Sequence, residues 1–151
     1  MEFDIIQTTC ISGMTWTPKR IIADDRGAVL LMLKDRQFEF EVGEIYFSIV
    51  KPGKIKGWKF HREMWQRFAV PVGWVKIVAV DLRNNSSSEG KICEIEIGAA
   101  NYGVITIPAG LWYSFKCISE GPSLIVNAAS ISRKTNESES VELADFRHYS
   151  W

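Results

Sequence analysis

Apolar residues alternate with charged residues over several short stretches of this 151-residue chain. Cys93, Ile95 and Ile97 are separated by glutamates, and the same period of two runs from Phe38 to Val42. A strand with one buried and one exposed face produces this alternation, because successive side chains point to opposite sides of a sheet. Almost no segment shows the 3.6-residue period of a helix. The pattern therefore predicts an all-β chain.

Turn-forming sequences rich in Gly, Pro, Asn and Asp separate about ten predicted strands at a spacing of roughly 8–12 residues. The predicted strands cover residues 28–33, 38–42, 44–50, 55–60, 67–71, 74–81, 93–97, 103–107, 112–117 and 124–128. This spacing favours a β-sandwich or barrel over a βαβ fold, and a jelly roll fits the length. The polar stretch 130–140 is predicted to be a loop, and the more apolar residues 141–151 are predicted to dock onto the barrel.

The composition predicts a single domain over residues 1–151, since 46% of the residues are hydrophobic and can form a core. Eighteen basic and eighteen acidic residues give no net charge, which favours neither nucleic acid nor a membrane surface as a partner. No apolar run approaches the ~20 residues of a membrane span, and no signal-peptide pattern is present. We therefore expect a cytoplasmic protein. Cys10, Cys93 and Cys117 lack the spacing of a zinc site and are interpreted as buried thiols.

Two segments, 59–73 and 108–113, carry the residues best suited to catalysis or ligand binding. They resemble the two signature motifs of the cupin superfamily, His-x-His with a downstream Glu and Gly, and Pro-x-Gly-x-x-His. The glycines and proline of both motifs are kept, but the positions of the four family ligands hold Lys59, His61, Gln66 and Tyr113. The resemblance implies the cupin fold, a double-stranded β-helix or jelly roll.

The altered ligand positions argue against a bound metal. A divalent cation needs three or four nitrogen, oxygen or sulfur donors that converge on it. Only His61 remains a good ligand among the four positions, and the ammonium of Lys59 would repel a nearby cation. We therefore expect neither a metal nor another cofactor. A metal-dependent cupin dioxygenase or isomerase is the least favoured interpretation.

Over roughly residues 24–151 the chain is similar to one branch of the cupins, the dTDP-4-dehydrorhamnose 3,5-epimerases. The resemblance is carried in order by DRG at 25–27, EIYFS at 44–48, KIKGWK at 54–59, DLR at 81–83, IPAG at 107–110 and YSW at 149–151. It implies a nucleotide-linked 4-keto-6-deoxysugar as substrate, a role in polysaccharide sugar biosynthesis, and a homodimer formed by strand exchange or sheet packing. The N-terminal strand expected over residues 1–10 would be a natural exchanged element.

The resemblance also implies catalytic roles for four residues. Lys59 stands at the position of the family's catalytic His, and Asp145 is the counterpart of the Asp that orients that His. The family's acid, a Tyr, is absent from the strand 124–128, and Tyr113 is its best substitute. Lys59 would act as a base only with a lowered pKa, and a pair with Asp145 would keep it charged. A charged Lys59 would instead stabilise an enolate, and His61 on the same strand face would be the base.

Six further residues are expected to contact the substrate. Lys56 occupies the family's basic position for the diphosphate. Gln66 falls near the family's enolate-binding Lys. Its neighbour Arg67 is the alternative for that role, although strand alternation turns its side chain to the other face. Tyr46 or Trp112 would stack on a nucleobase or sugar, and the sixth residue is Asn127 on strand 124–128.

Two functions remain open at this point. The first is a metal-independent enzyme that epimerises the sugar at carbon 3, carbon 5 or both, or that shifts the ketone between carbons. The second is a catalytically inactive protein that binds the nucleotide sugar or acts as a scaffold. The substituted His and Tyr favour the second function, and the ionisable residues that the pocket retains favour the first.

Overall fold

The computed structural model describes residues 5–34 and 41–151, and every regular element in these ranges is a β-strand. The strands are β1 (Gln7–Thr8), β2 (Thr15–Pro18), β3 (Ile21–Asp24), β4 (Gly27–Leu30), β5 (Glu44–Val50), β6 (Ile55–His61), β7 (Gln66–Val72), β8 (Trp74–Val80), β9 (Ile92–Gly98), β10 (Gly103–Ile107), β11 (Trp112–Cys117), β12 (Ser123–Ala129) and β13 (Ser138–Ser140). The all-β prediction is confirmed. In the described ranges no helix has the length and hydrophobicity needed to cross a membrane.

Two antiparallel sheets face each other. The larger sheet has the order β1-β2-β10-β7-β12-β5, the smaller has the order β13-β6-β11-β8-β9, and β3 and β4 form a separate hairpin. One buried apolar cluster joins the inner faces, with Phe68 and Ile105 from the larger sheet and Ile77 and Phe115 from the smaller. Alternation along each strand sends these residues inward, and their burial provides the main stabilisation of the sandwich. This arrangement is the predicted jelly roll.

Alternation locates the strands accurately where they are long. The predictions from residue 44 onward agree with β5 to β12 within one residue at each end. The predicted strand 28–33 is shortened to β4, and most of the predicted strand 38–42 lies outside the described residues. The short strand β1 lies within the N-terminal strand expected over residues 1–10, the first four of which are outside the described residues. The strands β2 and β3 were not predicted, because four residues are too few to show a period.

The prediction of a loop over 130–140 is wrong at its end. Ser138–Ser140 form β13, which pairs with Lys59, Phe60 and His61 at the edge of the smaller sheet. Polar side chains on an edge strand produce no hydrophobic period, so the sequence pattern could not show this strand. The pairing matters because it brings the residues just before β13 to the end of β6.

The C-terminal segment 141–151 docks on the outer face of the smaller sheet, as predicted. The ring of Phe146 stacks on Trp58 with centroids 4.0 Å apart, and Tyr149 meets Trp58 edge-on at 5.8 Å. Val141 and Trp58 exchange two backbone hydrogen bonds of 3.1 and 3.0 Å. Buried aromatic surface of this size fixes the segment against β6.

The three cysteines are free thiols in different environments. Cys117 is buried, Cys93 is partly buried and Cys10 is exposed. The prediction of buried thiols is therefore wrong for Cys10, which lies on the turn between β1 and β2.

Candidate active site

A cavity of about 500 Å³ lies between the two sheets. Five of the residues predicted to form the site line it, namely Lys56, Lys59 and His61 on β6, Tyr113 on β11 and Tyr46 on β5. A concave site with a few polar groups on apolar walls is the usual form of a small-molecule site, and here Met64, Phe68 and Phe115 supply the apolar surface. The cavity is therefore the candidate active site.

His61 is held between a carboxylate and a phenol. Its Nδ1 lies 2.6 Å from Oε2 of Glu137, and its Nε2 lies 3.1 Å from the hydroxyl of Tyr113. The Glu137 side chain is 2% exposed and that of His61 is 12% exposed. The second carboxylate oxygen, Oε1, accepts hydrogen bonds from the backbone amides of Met64 at 2.8 Å and Glu63 at 3.1 Å. Glu137 is therefore fixed in position and holds the imidazole ring in one orientation.

The hydrogen bonds also fix the protonation of this group. Burial alone would raise the pKa of Glu137, but the hydrogen bonds from His61 and from the amides of Met64 and Glu63 leave it below its ordinary value. Glu137 is thus an acceptor-only carboxylate at neutral pH, so Nδ1 of His61 carries the proton that points to it. In the neutral imidazole the lone pair is then on Nε2, the nitrogen beside Tyr113.

Tyr113 remains protonated beside this nitrogen. Burial, reinforced by the nearby Tyr46 and Glu137, raises the pKa of Tyr113 well above its ordinary value. Its hydroxyl therefore donates to Nε2 of His61 in the free protein. The structure brings together the predicted residues His61 and Tyr113 and adds Glu137, which sequence reasoning missed.

Glu137 reaches the site through the pairing of β13 with β6. Ser138 lies opposite His61, and the Arg62 amide donates to the Glu137 carbonyl over 2.8 Å. Arg62 and Glu139 form an ion pair on the exposed side of the same edge. The one local signal for this strand is Asn136, whose φ of 61° marks a turn just before it.

Lys59 points a positive charge into the same cavity. It lies two residues from His61 on the inner face of β6, and within residues 5–34 and 41–151 its side chain has no ion-pair partner. The predicted partner Asp145 is exposed on the C-terminal segment and does not line the cavity. The reason is that residues 141–151 cover the outer face of the smaller sheet, whereas Lys59 faces inward.

Tyr46 lies on the other sheet and is held by an amide. Asn127 on β12 donates from Nδ2 to the hydroxyl of Tyr46 over 2.8 Å and to Oε1 of Gln66, and its Oδ1 accepts from the backbone amide of Arg67. Burial raises the pKa of Tyr46, although the hydrogen bond from Asn127 opposes this effect. Gln66 and Asn127 are both buried and do not line the cavity themselves.

Two more of the predicted substrate-binding residues, Arg67 and Trp112, also do not line the cavity. Arg67 is buried on β7 and donates from Nε to the carbonyl of Ala128 over 3.2 Å. Trp112 packs on the outer aromatic cluster, with Phe60 at 5.2 Å and Phe146 at 5.6 Å. Because Tyr113 faces inward, its neighbour Trp112 must face outward. In the described residues no three His, Cys, Asp or Glu side chains form a group that could hold a metal ion.

Two facing antiparallel sheets around a cavity with a few polar groups on apolar walls define the class of this protein as a cupin-type jelly roll. The dTDP-4-dehydrorhamnose 3,5-epimerase family profile matches residues 8–147, and the chain belongs to this family. It is 35% identical to a dTDP sugar isomerase of Desulfovibrio desulfuricans whose crystal structure superposes with a TM-score of 0.85, covering 91% of this chain and 87% of that one.

Curated relatives point in the same direction. The chain is 32% identical over 111 residues to the probable low-salt glycan biosynthesis epimerase Agl13 of Haloferax volcanii, covering 72% of this chain and 71% of the relative. It is 27% identical over 111 residues to the spore coat polysaccharide biosynthesis protein SpsL of Bacillus subtilis, covering 73% and 74%. The resemblance stated from the sequence motifs is therefore confirmed.

Proposed function

We propose that this protein is a metal-independent epimerase or isomerase of a nucleotide-linked 4-keto-6-deoxysugar in polysaccharide biosynthesis, and that His61 is its base. The observation that carries the proposal is the pairing of His61 with the buried carboxylate of Glu137 at the wall of the cavity. Membership of the epimerase family and the names of the relatives support the substrate class.

The proposed reaction begins with removal of a proton beside the ketone. Nε2 of neutral His61 takes the proton, and the electrons of the broken C–H bond form an enolate. The resulting imidazolium is stabilised by Glu137, whose oxygen lies 2.6 Å from Nδ1. Tyr113, which stays protonated, supplies a donor for the negative enolate oxygen.

Charged residues at the cavity suit the diphosphate of a nucleotide sugar. Lys56, Lys59 and Arg133 line it, against one carboxylate, Glu44, among the described lining residues. Ammonium and guanidinium groups bind phosphate oxygens through charge-assisted hydrogen bonds. In this proposal Lys59 remains charged and steadies the substrate or the enolate, which leaves the role of base to His61.

The test is an isotope experiment on the unmodified protein. We expect dTDP-4-keto-6-deoxyglucose, incubated with the protein in heavy water, to take up deuterium beside the ketone above the rate of a protein-free blank. Proton NMR assigns the label to carbon 3 or carbon 5, and mass spectrometry counts it. Binding of this substrate with no uptake would contradict the enzyme and support a binding or scaffold protein, which the replacement of the family's His by Lys59 favours.

A cytoplasmic location is part of the proposal. A nucleotide sugar carries diphosphate charges that cross an apolar bilayer only at a high free-energy cost. An enzyme that uses such a substrate is therefore placed in the compartment where the nucleotide is made.

A homodimer is also part of the proposal, with β5 at its interface. Ile45, Phe47 and Ile49 point outward from this edge strand and are 57%, 64% and 65% exposed. A row of apolar side chains beside unpaired backbone groups is a typical surface for pairing with a second copy. The family resemblance implies a homodimer, and this supports a second copy of the chain as the partner that covers β5.

Phe47→Glu is expected to convert the dimer to a monomer. A carboxylate placed at the centre of the apolar row would have to be buried without a partner in the dimer. Sedimentation velocity measures the mass, and Val29→Glu on the β4 hairpin is the control because Val29 is also an exposed apolar residue. A dimer that survives Phe47→Glu at the wild-type dissociation constant would exclude β5 as the interface.

A further inference from the structure

His61 and the two side chains that hydrogen-bond to it belong to one wall of the cavity. His61 lies on β6, Tyr113 lies on β11, and Glu137 directly precedes β13, and these three strands are neighbours in the smaller sheet. Inversion of a carbon centre requires that the proton return from the face opposite to the one it left. The larger sheet supplies the cavity wall that faces these groups, so a donor for that step is expected there.

Tyr46 is a hydroxyl-bearing residue on that opposite wall. It lies on the inner face of β5 in the larger sheet and lines the same cavity as His61. Ser48 and Glu44 also line this wall. An aliphatic hydroxyl is a much weaker acid than a phenol, and the Glu44 carboxylate accepts a hydrogen bond from the backbone amide of Arg133. Tyr46 is therefore the group on this wall that is suited to proton transfer.

The Asn127 amide determines where the phenolic proton of Tyr46 points. Its Oδ1 accepts from the amide of Arg67 and its Nδ2 donates to Gln66, so the amide group cannot be reversed without loss of both hydrogen bonds. The remaining Nδ2 hydrogen goes to the oxygen of Tyr46 over 2.8 Å. Tyr46 thus accepts from Asn127, and its own proton has no acceptor among the described residues.

We propose that Tyr46 is the acid that returns a proton to the sugar from the face opposite to His61, with Asn127 as its positioning residue. The proposal rests on the epimerase function proposed above. The O–H bond of Tyr46 breaks, its proton forms the new C–H bond at the enolate carbon, and the enolate electrons restore the ketone. His61 keeps the proton it removed until solvent takes it, and the Tyr46 phenolate regains one from water.

The environment of Tyr46 fits both states of this step. Burial raises the pKa of Tyr46, so the acid form is present at neutral pH before the transfer. After the transfer, the Nδ2–H of Asn127 donates to the phenolate. The positive charge of Arg133 favours the anion, whereas the charges of Glu44 and Glu137 oppose it. Gln66 contributes only by holding the Asn127 amide.

Tyr46→Phe separates proton removal from inversion. In heavy water we expect the variant to keep deuterium uptake into sugar of unchanged configuration within about threefold of the wild-type rate, because His61 can return a solvent-derived deuteron to the same face. Formation of the inverted sugar is expected to fall at least about tenfold, in line with the usual contribution of a positioned acid. Proton NMR coupling constants measure the configuration in the same samples.

Asn127→Asp tests the positioning of the proton. A carboxylate at this position still accepts from the Arg67 amide but would accept the phenolic proton of Tyr46 and so turn it away from the cavity. We expect the same loss of inversion with retained uptake, and Asn127→Asp/Tyr46→Phe should be no worse than Tyr46→Phe alone. Tyr102→Phe, which removes a buried phenol outside the cavity, is the matched control and should invert at the wild-type rate.

Three outcomes would overturn the assignment. Inversion by Tyr46→Phe at the wild-type rate would show that another group is the acid. Equal loss of uptake and inversion would show that Tyr46 serves proton removal or substrate binding instead. The dissociation constant of dTDP, measured by calorimetry, separates these two roles, because only a binding role would raise it. A wild-type protein that shows neither uptake nor inversion would refute the epimerase function itself, and the Tyr46 proposal with it.

Discussion

His61→Asn is expected to reduce deuterium uptake by about 10²–10⁴-fold, the usual contribution of a positioned general base. Asn keeps an N–H that can donate to Glu137 in place of Nδ1, but it is smaller than the imidazole and cannot take a proton from carbon. Uptake is measured as a single-turnover rate at saturating substrate, and dTDP binding within about threefold of wild type shows that the cavity is intact.

Glu137→Gln is expected to produce a loss of similar size. The buried carboxylate both keeps the proton on Nδ1 and stabilises the imidazolium that forms at Nε2. A glutamine removes the negative charge, and its amide group can donate to Nδ1, which would move the ring proton to the nitrogen that has to act as base. Circular dichroism and thermal unfolding check that the hydrogen bonds to Met64 and Glu63 have not been lost with the fold.

Lys59→Gln distinguishes the two bases that the sequence left open. If His61 is the base and Lys59 is a charged contact, this variant should weaken binding and slow uptake by roughly 10- to 150-fold without abolishing uptake, since one charge-assisted hydrogen bond contributes roughly 1.5–3 kcal/mol. The opposite pattern, in which Lys59→Gln abolishes uptake and His61→Asn does not, would assign the base to Lys59 and contradict the proposal.

The sequence alone was sufficient to predict the strands β6 and β11, which form one wall of the candidate site. Alternation placed β6 and β11 within one residue and put Lys59 and His61 on the same strand face. The resemblance to the cupin motifs selected Tyr113, which lines the same cavity. A period of two is a property of a single strand, so it can be read without knowledge of the rest of the fold.

The carboxylate beside His61 depends on a contact that no local pattern encodes. Asp145 was selected as the partner from a family position, but the segment that carries it packs its Phe146 against Trp58 on the outer face of the sheet. Glu137 instead reaches the ring because polar β13 pairs with the edge of β6 across more than 70 residues of chain. A polar edge strand is held by backbone hydrogen bonds, which depend little on the side chains. The sequence pattern therefore gives no signal for this pairing.

A second buried carboxylate, Asp81, stabilises the same end of the smaller sheet, where β6 and β8 both end beside the start of β11. It is fully buried at the end of β8 and accepts five hydrogen bonds. Arg83 supplies three of them, from its backbone amide, Nε and Nη2, and the hydroxyls of Ser86 and Ser88 supply the others. Arg83 and Ser88 also bind the backbone of Ser12, so this carboxylate joins the loop after β8 to the turn between β1 and β2.

Asp81→Asn is expected to destabilise the fold by about 3 kcal/mol, the lower end of the cost of breaking a buried ion pair. The new amide nitrogen would face donors from Arg83, Ser86 and Ser88 and would accept from none of them. For a chain of this length the melting temperature should fall by roughly 6–12 °C. Asp24→Asn is the control, because Asp24 and Arg26 form an exposed ion pair, and exposed pairs contribute little to stability.

The pH dependence of this loss distinguishes the ion pair from a packing effect. Hydrogen bonds from Arg83, with those from Ser88 and Ser86, hold the pKa of Asp81 well below its ordinary value. Because the pKa of Asp81 is lower in the folded than in the unfolded state, its carboxylate stabilises the fold fully at pH values above the unfolded-state pKa of about 3.9. This contribution disappears as the pH falls towards the folded-state pKa. The stability difference between wild type and Asp81→Asn should therefore be constant from pH 7 to pH 5 and shrink below pH 4 in urea unfolding. A difference that stays the same at pH 3 would contradict a charge-based role and assign the loss to shape alone.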